Sequence, residues 1–407
     1  MTPTGRRRLK RDVVVSVARI VGATLASTPF LFAGARAETV TSGFNSTGSV
    51  GYSSNPYLLQ ETRGGVLRGE VSLSPSVEAK TARSSLSVSS NIVFTKFSAQ
   101  YRDAVNLSTL VGYTNTLTRQ LSLRAGMSIT SALGGTTARD RIFDPAAPTD
   151  VVPNEPDITL VGFQSRTTRV QGSAALSFAI DNKNSLTLAY NGGVVRLPGS
   201  RGRSEYANFS QSASYSRVLN SRLSGGGSVN VSRVNYFGGS LGDAVIISPS
   251  VNASLRLASK WTLSGGIGFS TSRINVVGGE LTSTNLSGSL SACRSDSRTN
   301  FCLNGSRSTG GSSFNGIRTT SSIGTSYSYK INGRDTITAS GGYSRSSTPQ
   351  FSSLRSTTYL SGTTTYARRF SSQISGQLRG GFTRSTFEGT RSNAFASIGI
   401  NYNFGDR

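Results

Sequence analysis

Hydrophobic and polar residues alternate along most of this chain with a period of two. Leu121, Leu123, Ala125, Met127 and Ile129 share one parity, while Arg124, Gly126, Ser128 and Thr130 share the other. The same metre returns in Val170, Ala174, Leu176, Phe178 and Ile180, in Val245, Ile247, Val251, Ala253 and Leu255, and in Trp261, Leu263, Ile267 and Phe269. Successive side chains of a strand point to opposite faces, so each segment is a strand with one apolar and one polar face. The last segment, Asn393–Phe404, sets Ala394, Ala396, Ile398, Ile400, Tyr402 and Phe404 against Asn393, Ser397, Gly399, Asn401 and Asn403. Phe395 is its one apolar residue on the polar side.

From residue 42 onward about 18 such segments can be drawn, and the weak patterning of 42–52 and 281–309 sets the range at 16–18. The connections alternate between short ones, such as Thr118–Gln120, Asp181–Asn184 and Asn332–Arg334, and long ones, such as Ser53–Gly65, Leu133–Gln164 and Leu197–Glu205. That alternation predicts an all-β fold, a transmembrane up-and-down antiparallel β-barrel with short periplasmic turns and longer surface loops. A soluble sandwich would carry more Leu, Ile and Phe on its apolar faces and show no rule for loop length. A solenoid would keep a fixed repeat, and here the period drifts.

The N-terminus does not share the metre. Arg6, Arg7, Arg8, Lys10 and Arg11 precede a largely apolar run from Val13 to Phe32, and Ala35-Arg36-Ala37 is a small-x-small cleavage site. Residues 1–37 are therefore expected to be a signal peptide for the general secretory route, leaving 38–407 as the barrel. A lone membrane anchor fits less well, because Arg19 and Pro29 interrupt the apolar run. The 407 residues carry a formal net charge of +24. Removal of 1–37 takes seven of the 43 basic residues and one of the 19 acidic ones, which leaves +18. So basic a chain would ordinarily suggest nucleic acid, but an exported protein meets none.

Two stretches carry a resemblance. Asn393–Phe404, ending on Tyr402 and Phe404, resembles the C-terminal signal strand of bacterial outer-membrane barrels. Gly51-Tyr52-Ser53-Ser54-Asn55-Pro56-Tyr57 is similar to the opening of β-barrel porin families of Gram-negative bacteria, some of which belong to exopolysaccharide systems. The same stretch also reads simply as a turn begun by Asn55-Pro56. The resemblance implies the cell outer membrane as location. It implies outer-membrane lipids, lipopolysaccharide and the barrel-insertion machinery as partners, the last reading Tyr402 and Phe404. It leaves a homo-oligomer or polysaccharide-export components as further partners. One departure is that Gly405, Asp406 and Arg407 follow the final aromatic.

Candidate site residues follow from parity. The lumen parity is mostly Ser, Thr, Gly, Asn and Gln, with Arg124, Arg169, Arg318 and Arg379 as pore-lining cations, joined by Arg256, Lys330 and Arg369. On seven upward strands the lipid parity ends in a cation: Lys96, Arg196, Arg233, Arg273, Arg307, Arg345 and Arg384. These would form a belt against lipopolysaccharide phosphates, or else a solvated rim. The longest loop holds Asp140, Asp144, Asp150 and Asp157 and is a candidate constriction loop, or else an outward surface loop. Cys293 and Cys302 flank one periplasmic turn, Arg294 to Phe301, and the oxidising compartment predicts a disulfide that pins it.

The leading functional expectation is a passive channel for small polar or anionic solutes. The alternative is a non-channel barrel that anchors or helps export a surface polysaccharide. No histidine occurs anywhere in the chain, which removes the Ser–His and acid–His mechanisms of barrel enzymes. No enzyme activity, cofactor or metal is expected.

Overall fold

The computed structural model describes residues 38–59, 64–99, 101–133, 166–198, 204–237, 241–257, 260–276, 279–313, 316–348, 356–386 and 389–405. The expected signal peptide and the four acidic residues of the candidate constriction loop lie outside them. The described residues form eighteen strands. The first six are β1 (Thr39–Ser53), β2 (Val66–Lys80), β3 (Ser84–Phe97), β4 (Ala104–Thr116), β5 (Leu121–Leu133) and β6 (Arg166–Ala179). Next come β7 (Asn184–Arg196), β8 (Glu205–Val218), β9 (Leu223–Phe237), β10 (Leu241–Leu257), β11 (Trp261–Val276) and β12 (Gly279–Ser295). The last are β13 (Thr299–Ser312), β14 (Gly316–Lys330), β15 (Asp335–Ser347), β16 (Thr357–Arg369), β17 (Ile374–Ser385) and β18 (Arg391–Gly405).

Each strand pairs antiparallel with its neighbours in sequence, and β18 closes on β1 from Ser53↔Phe395 to Gly43↔Gly405. The chain is a transmembrane up-and-down barrel of 18 strands, the upper end of the expected range. A strand of 13 residues rising about 3.3 Å per residue and tilted about 45° spans about 30 Å, the thickness of bilayer hydrocarbon. The outward parity is apolar and open: Val50, Ile267, Leu378, Ile398 and Ile400 are all more than half exposed. Over a whole circumference this would be intolerable in water and is what lipid requires.

Eight turns of three or four residues close one end. The sequence dictates them locally. Thr81, Thr118, Asp181, Asn220, Asn332 and Ser371 each accept hydrogen bonds on the side-chain oxygen from the backbone N–H groups two and three residues on. This is the usual way a short polar side chain mimics a backbone turn. At Asp181 the Asn184 side chain and the Lys183 N–H hold the carboxyl below its ordinary range. That contribution is whole above the ordinary carboxylate range and fades as pH falls through the lowered value.

Two expectations need correction. Cys293 and Cys302 do form a disulfide, but the turn it was meant to pin spans only residues 296–298. Both strands continue past the cysteines, which face each other directly in the ladder. The opposite end also breaks the short–long rule, for the β9–β10, β11–β12 and β13–β14 connections have only three, two and three residues. Their Gly- and Ser-rich flanks read as loop but extend the strands instead.

At the turn end Phe404 is exposed on the outer face, 4.0 Å from Tyr402 and 6.0 Å from Phe44 between ring centroids. It therefore joins the last strand to the first at the level where aromatic girdles sit. Phe404→Ser is expected to cut the folded, heat-modifiable fraction in a membrane-insertion assay, whereas deletion of 405–407 leaves it unchanged.

Candidate functional site

The lumen and its loop end are the candidate site, and the residues that shape it come from separated parts of the chain. The first group is the Gly51–Tyr57 stretch. Pro56 fixes the backbone after Asn55, and Asn55 locks the turn by accepting from Leu59 N and donating from Nδ2 to Leu59 O. Leu58 adopts a left-handed φ of 51° and is fully buried. The turn is held against the wall by Asn393, whose Oδ1 accepts from Ser53 Oγ at 2.7 Å and Asn55 N at 2.8 Å. Arg391 donates to Leu58 O at 3.4 Å. Tyr57 is buried, packs its ring 5.5 Å from Phe97 and 5.8 Å from Tyr101, and donates to Arg102 O. The stretch does begin a turn, and that turn is built into the mouth. Sequence reasoning missed Asn393, Arg391, Phe97 and Tyr101 as its partners. The available signal was a polar Asn and a basic Arg at the start of β18, on the lumen parity.

One step further in, on the same side, lies the aromatic exception on the polar face. Phe395 projects into the lumen, with the guanidinium carbons of Arg68 and Arg379 each 5.7 Å from its ring centroid. A Cβ on Gly381 would come within 2.8 Å of the ring, so only glycine leaves room for it there. Glu70 shares the lumen parity two residues from Arg68. Arg68 was not singled out by sequence, because its strand is less regular around Pro75.

The four predicted pore-lining arginines do not form one ring. Arg124 lies near the turn end of β5, Arg379 near the middle of β17 and Arg169 near the loop end of β6. Arg318 is not open to the lumen at all. It is 3% exposed, donating from Nε to Ser346 Oγ and from the guanidinium to Ser346 O.

The seven belt cations all lie on the outer face near the loop end, and all are exposed. Three have a carboxylate on the next strand: Arg196 with Glu205 at 2.7 Å, Arg233 with Asp243 at 2.7 Å, and Arg273 with Glu280 at 3.8 Å. Arg307 donates to Leu286 O and to Ser321 Oγ. For Lys96, Arg345 and Arg384 no carboxylate pairs with them among the described residues.

The loop end of the lumen is closed differently by β13 and β14. The β12–β13 ladder covers only Gly288–Ser295 with Asn300–Arg307. Beyond Arg307, β13 continues in register with β14 alone, while β12 continues with β11. The described residues flanking the β13–β14 turn leave the wall and pack inside. Ile317 is fully buried in a cluster with Leu197, just beyond β7, and with Val195, Tyr206, Val234, Ile246 and Ile274, which carry the lumen parity of β7 to β11. Ser204 N donates to Ser313 O at 3.0 Å. Among the described residues the β13–β14 hairpin is what enters the lumen, at a place where sequence offered no constriction loop; the loop that sequence did offer lies outside the described residues. Among the described residues no cluster of three or more metal-ligating side chains occurs.

No protein-family model matches the chain, and no curated protein matches it. Several solved structures are similar. The outer membrane protein opdK of Pseudomonas aeruginosa is 12% identical with a TM-score of 0.46, the match covering 91% of this chain and 100% of that one. OpdQ of the same organism is 11% identical with a TM-score of 0.47, covering 90% and 99%. Acinetobacter baumannii OccAB4 is 7% identical with a TM-score of 0.46, covering 91% and 99%.

Asn393 Oδ1 is the shared acceptor of the mouth. Asn393→Ala leaves the Asn55 N–H and Ser53 hydroxyl without it in a buried place, a loss of about 1–3 kcal/mol. Denaturant unfolding in detergent should show that loss, and limited proteolysis should open residues 54–59 first.

Proposed function

We propose that the protein is a passive channel of the Gram-negative outer membrane, exported by a signal in residues 1–37, that admits small polar or anionic solutes. The observation that carries this reading is the contrast between an apolar outer face and a lumen of Ser, Thr, Asn and Gln bearing the Arg68–Phe395–Arg379 group. A lumen of this composition holds water, and two guanidinium groups on one aromatic ring favour an anion passing beside them. Glu70 tempers that preference. A second reading, a barrel that anchors or assists export of a surface polysaccharide, is favoured by the packed loop end. There Tyr57, Leu58, Ile317, Thr357, Tyr359 and Thr383 are all buried.

Planar-bilayer recording of the refolded chain separates the two. The channel reading expects steady conductance with anion preference. Arg68→Glu with Arg379→Glu should lower the anion-to-cation permeability ratio roughly tenfold, equivalent to about 1.4 kcal/mol. Absence of conductance would move the reading to the polysaccharide role.

The outer cations support contact with lipopolysaccharide phosphates, through the charge-assisted pairing Arg and Lys make with phosphate. Charge reversal at Lys96, Arg345 and Arg384, the three without a carboxylate neighbour among the described residues, should weaken barrel stability in lipopolysaccharide by about 1 kcal/mol per cation. In zwitterionic phospholipid the same variant should match the wild type; equal losses in both would leave the belt a solvated rim. The barrel-insertion machinery is the other partner this reading names, with no nucleic acid and no cofactor.

A further inference from the structure

The β13–β14 hairpin carries a contradiction between its sequence parity and its place. Gly311 and Ile317 have the outward parity of their strands, the same as Leu303 and Ile323, which are exposed on the outer face. Yet Ile317 is fully buried in the lumen cluster, and a Cβ on Gly311 would lie 2.8 Å from Val234 Cγ1 and 3.5 Å from Tyr206. The strand ends at Gly311 and Ile317 lie behind the wall, so their outward face meets the lumen face of β7 to β11.

The vacated place is intact. Continuing the β12–β13 register from Gly288↔Arg307 without any slip would set Leu286 opposite Thr309 and Thr284 opposite Gly311. It would also return Gly311 and Ile317 to the outside. At the fork itself Arg307 Nε donates to Leu286 O at 3.1 Å, supplying a donor beside the last laddered pair. The two arrangements exchange like for like. The zipped one gains ladder hydrogen bonds and removes an open strand edge. The tucked one gains burial of Ile317 against an apolar lumen patch. Two discrete packings of one element make a switch when they lie close in free energy.

We propose that the β13–β14 hairpin is a gate of the channel: tucked, it narrows the mouth; zipped to β12, it clears it. This rests on the channel reading above. The tucked position is the narrowed, still conducting state, and the zipped position completes the barrel wall around its full circumference.

One cysteine tests both positions. Gly311→Cys with Val234→Cys should cross-link the tucked hairpin, and Gly311→Cys with Thr284→Cys the zipped one. Each is made in the full-length protein, refolded in lipid, oxidised, and mapped by non-reducing peptide analysis before bilayer recording. The 284–311 cross-link is expected to form and to raise single-channel conductance several-fold over wild type. The 234–311 cross-link is expected to lower it, and reduction should reverse both while leaving wild type unchanged. A second variant avoids cross-linking: Gly311→Leu, which crowds Val234 only in the tucked position, should also raise conductance. The gate is overturned if the 284–311 pair does not form, or if it forms in a conducting protein without changing conductance. If that pair forms and no protein conducts, the hairpin's movement stands and the channel reading falls.

Discussion

A backbone in hydrocarbon has no water to bond, so every N–H and C=O must find a partner within the sheet. This one constraint shapes the chain from end to end. It forces β18 back onto β1, whose pairing runs from Ser53↔Phe395 to Gly43↔Gly405. It makes the strands long, 12 to 17 residues, and it confines irregular backbone to the two ends. It also frees the side chains from making a core. With the backbone satisfied around the ring, outward residues need only be compatible with lipid, and inward ones only with water.

That division explains what was legible in the sequence. Leu121 to Ile129 and Trp261 to Phe269 announce their faces because each face meets a different solvent. Eighteen strands, their direction and the final seam all follow from such parity. The disulfide was legible too, since only two cysteines exist and they share one hairpin. The turn it spans was not, because Ser295 and Thr299 sit in polar sequence where parity is silent. Short turns were visible through Asp181, Asn220 and Asn332, whose side chains close them locally.

The loop end obeys different physics, and there parity misled. Arg318 read as pore-lining, and the strand parity of Ile317 and Gly311 would set them against lipid; the inward course of one hairpin places all three elsewhere. Only Gly311 and Ile317 within residues 308–318 favour that position, and neither announces it in the alternating pattern. It is encoded at a distance, in Val195, Val234, Ile246 and Ile274, apolar residues on a parity that elsewhere is Ser and Thr. In the same way the Asn55 turn depends on Asn393, far along the chain, which the alternating pattern of β18 files as an ordinary polar position. A site assembled from remote strands leaves its mark as small exceptions to the pattern, of which Phe395 is another.

The disulfide acquires a mechanical sense from where it falls. Cys293 and Cys302 join the same pair of strands that parts above Gly288 and Arg307. A parted seam in a sheet concentrates load at its tip, and each hydrogen-bonded rung that gives way exposes the next. Five residues below the fork the ladder meets a covalent bond, and it continues beneath that bond to Ser295↔Asn300. It acts as a rivet that stops the tear short of the turn, so the hoop beneath it stays whole.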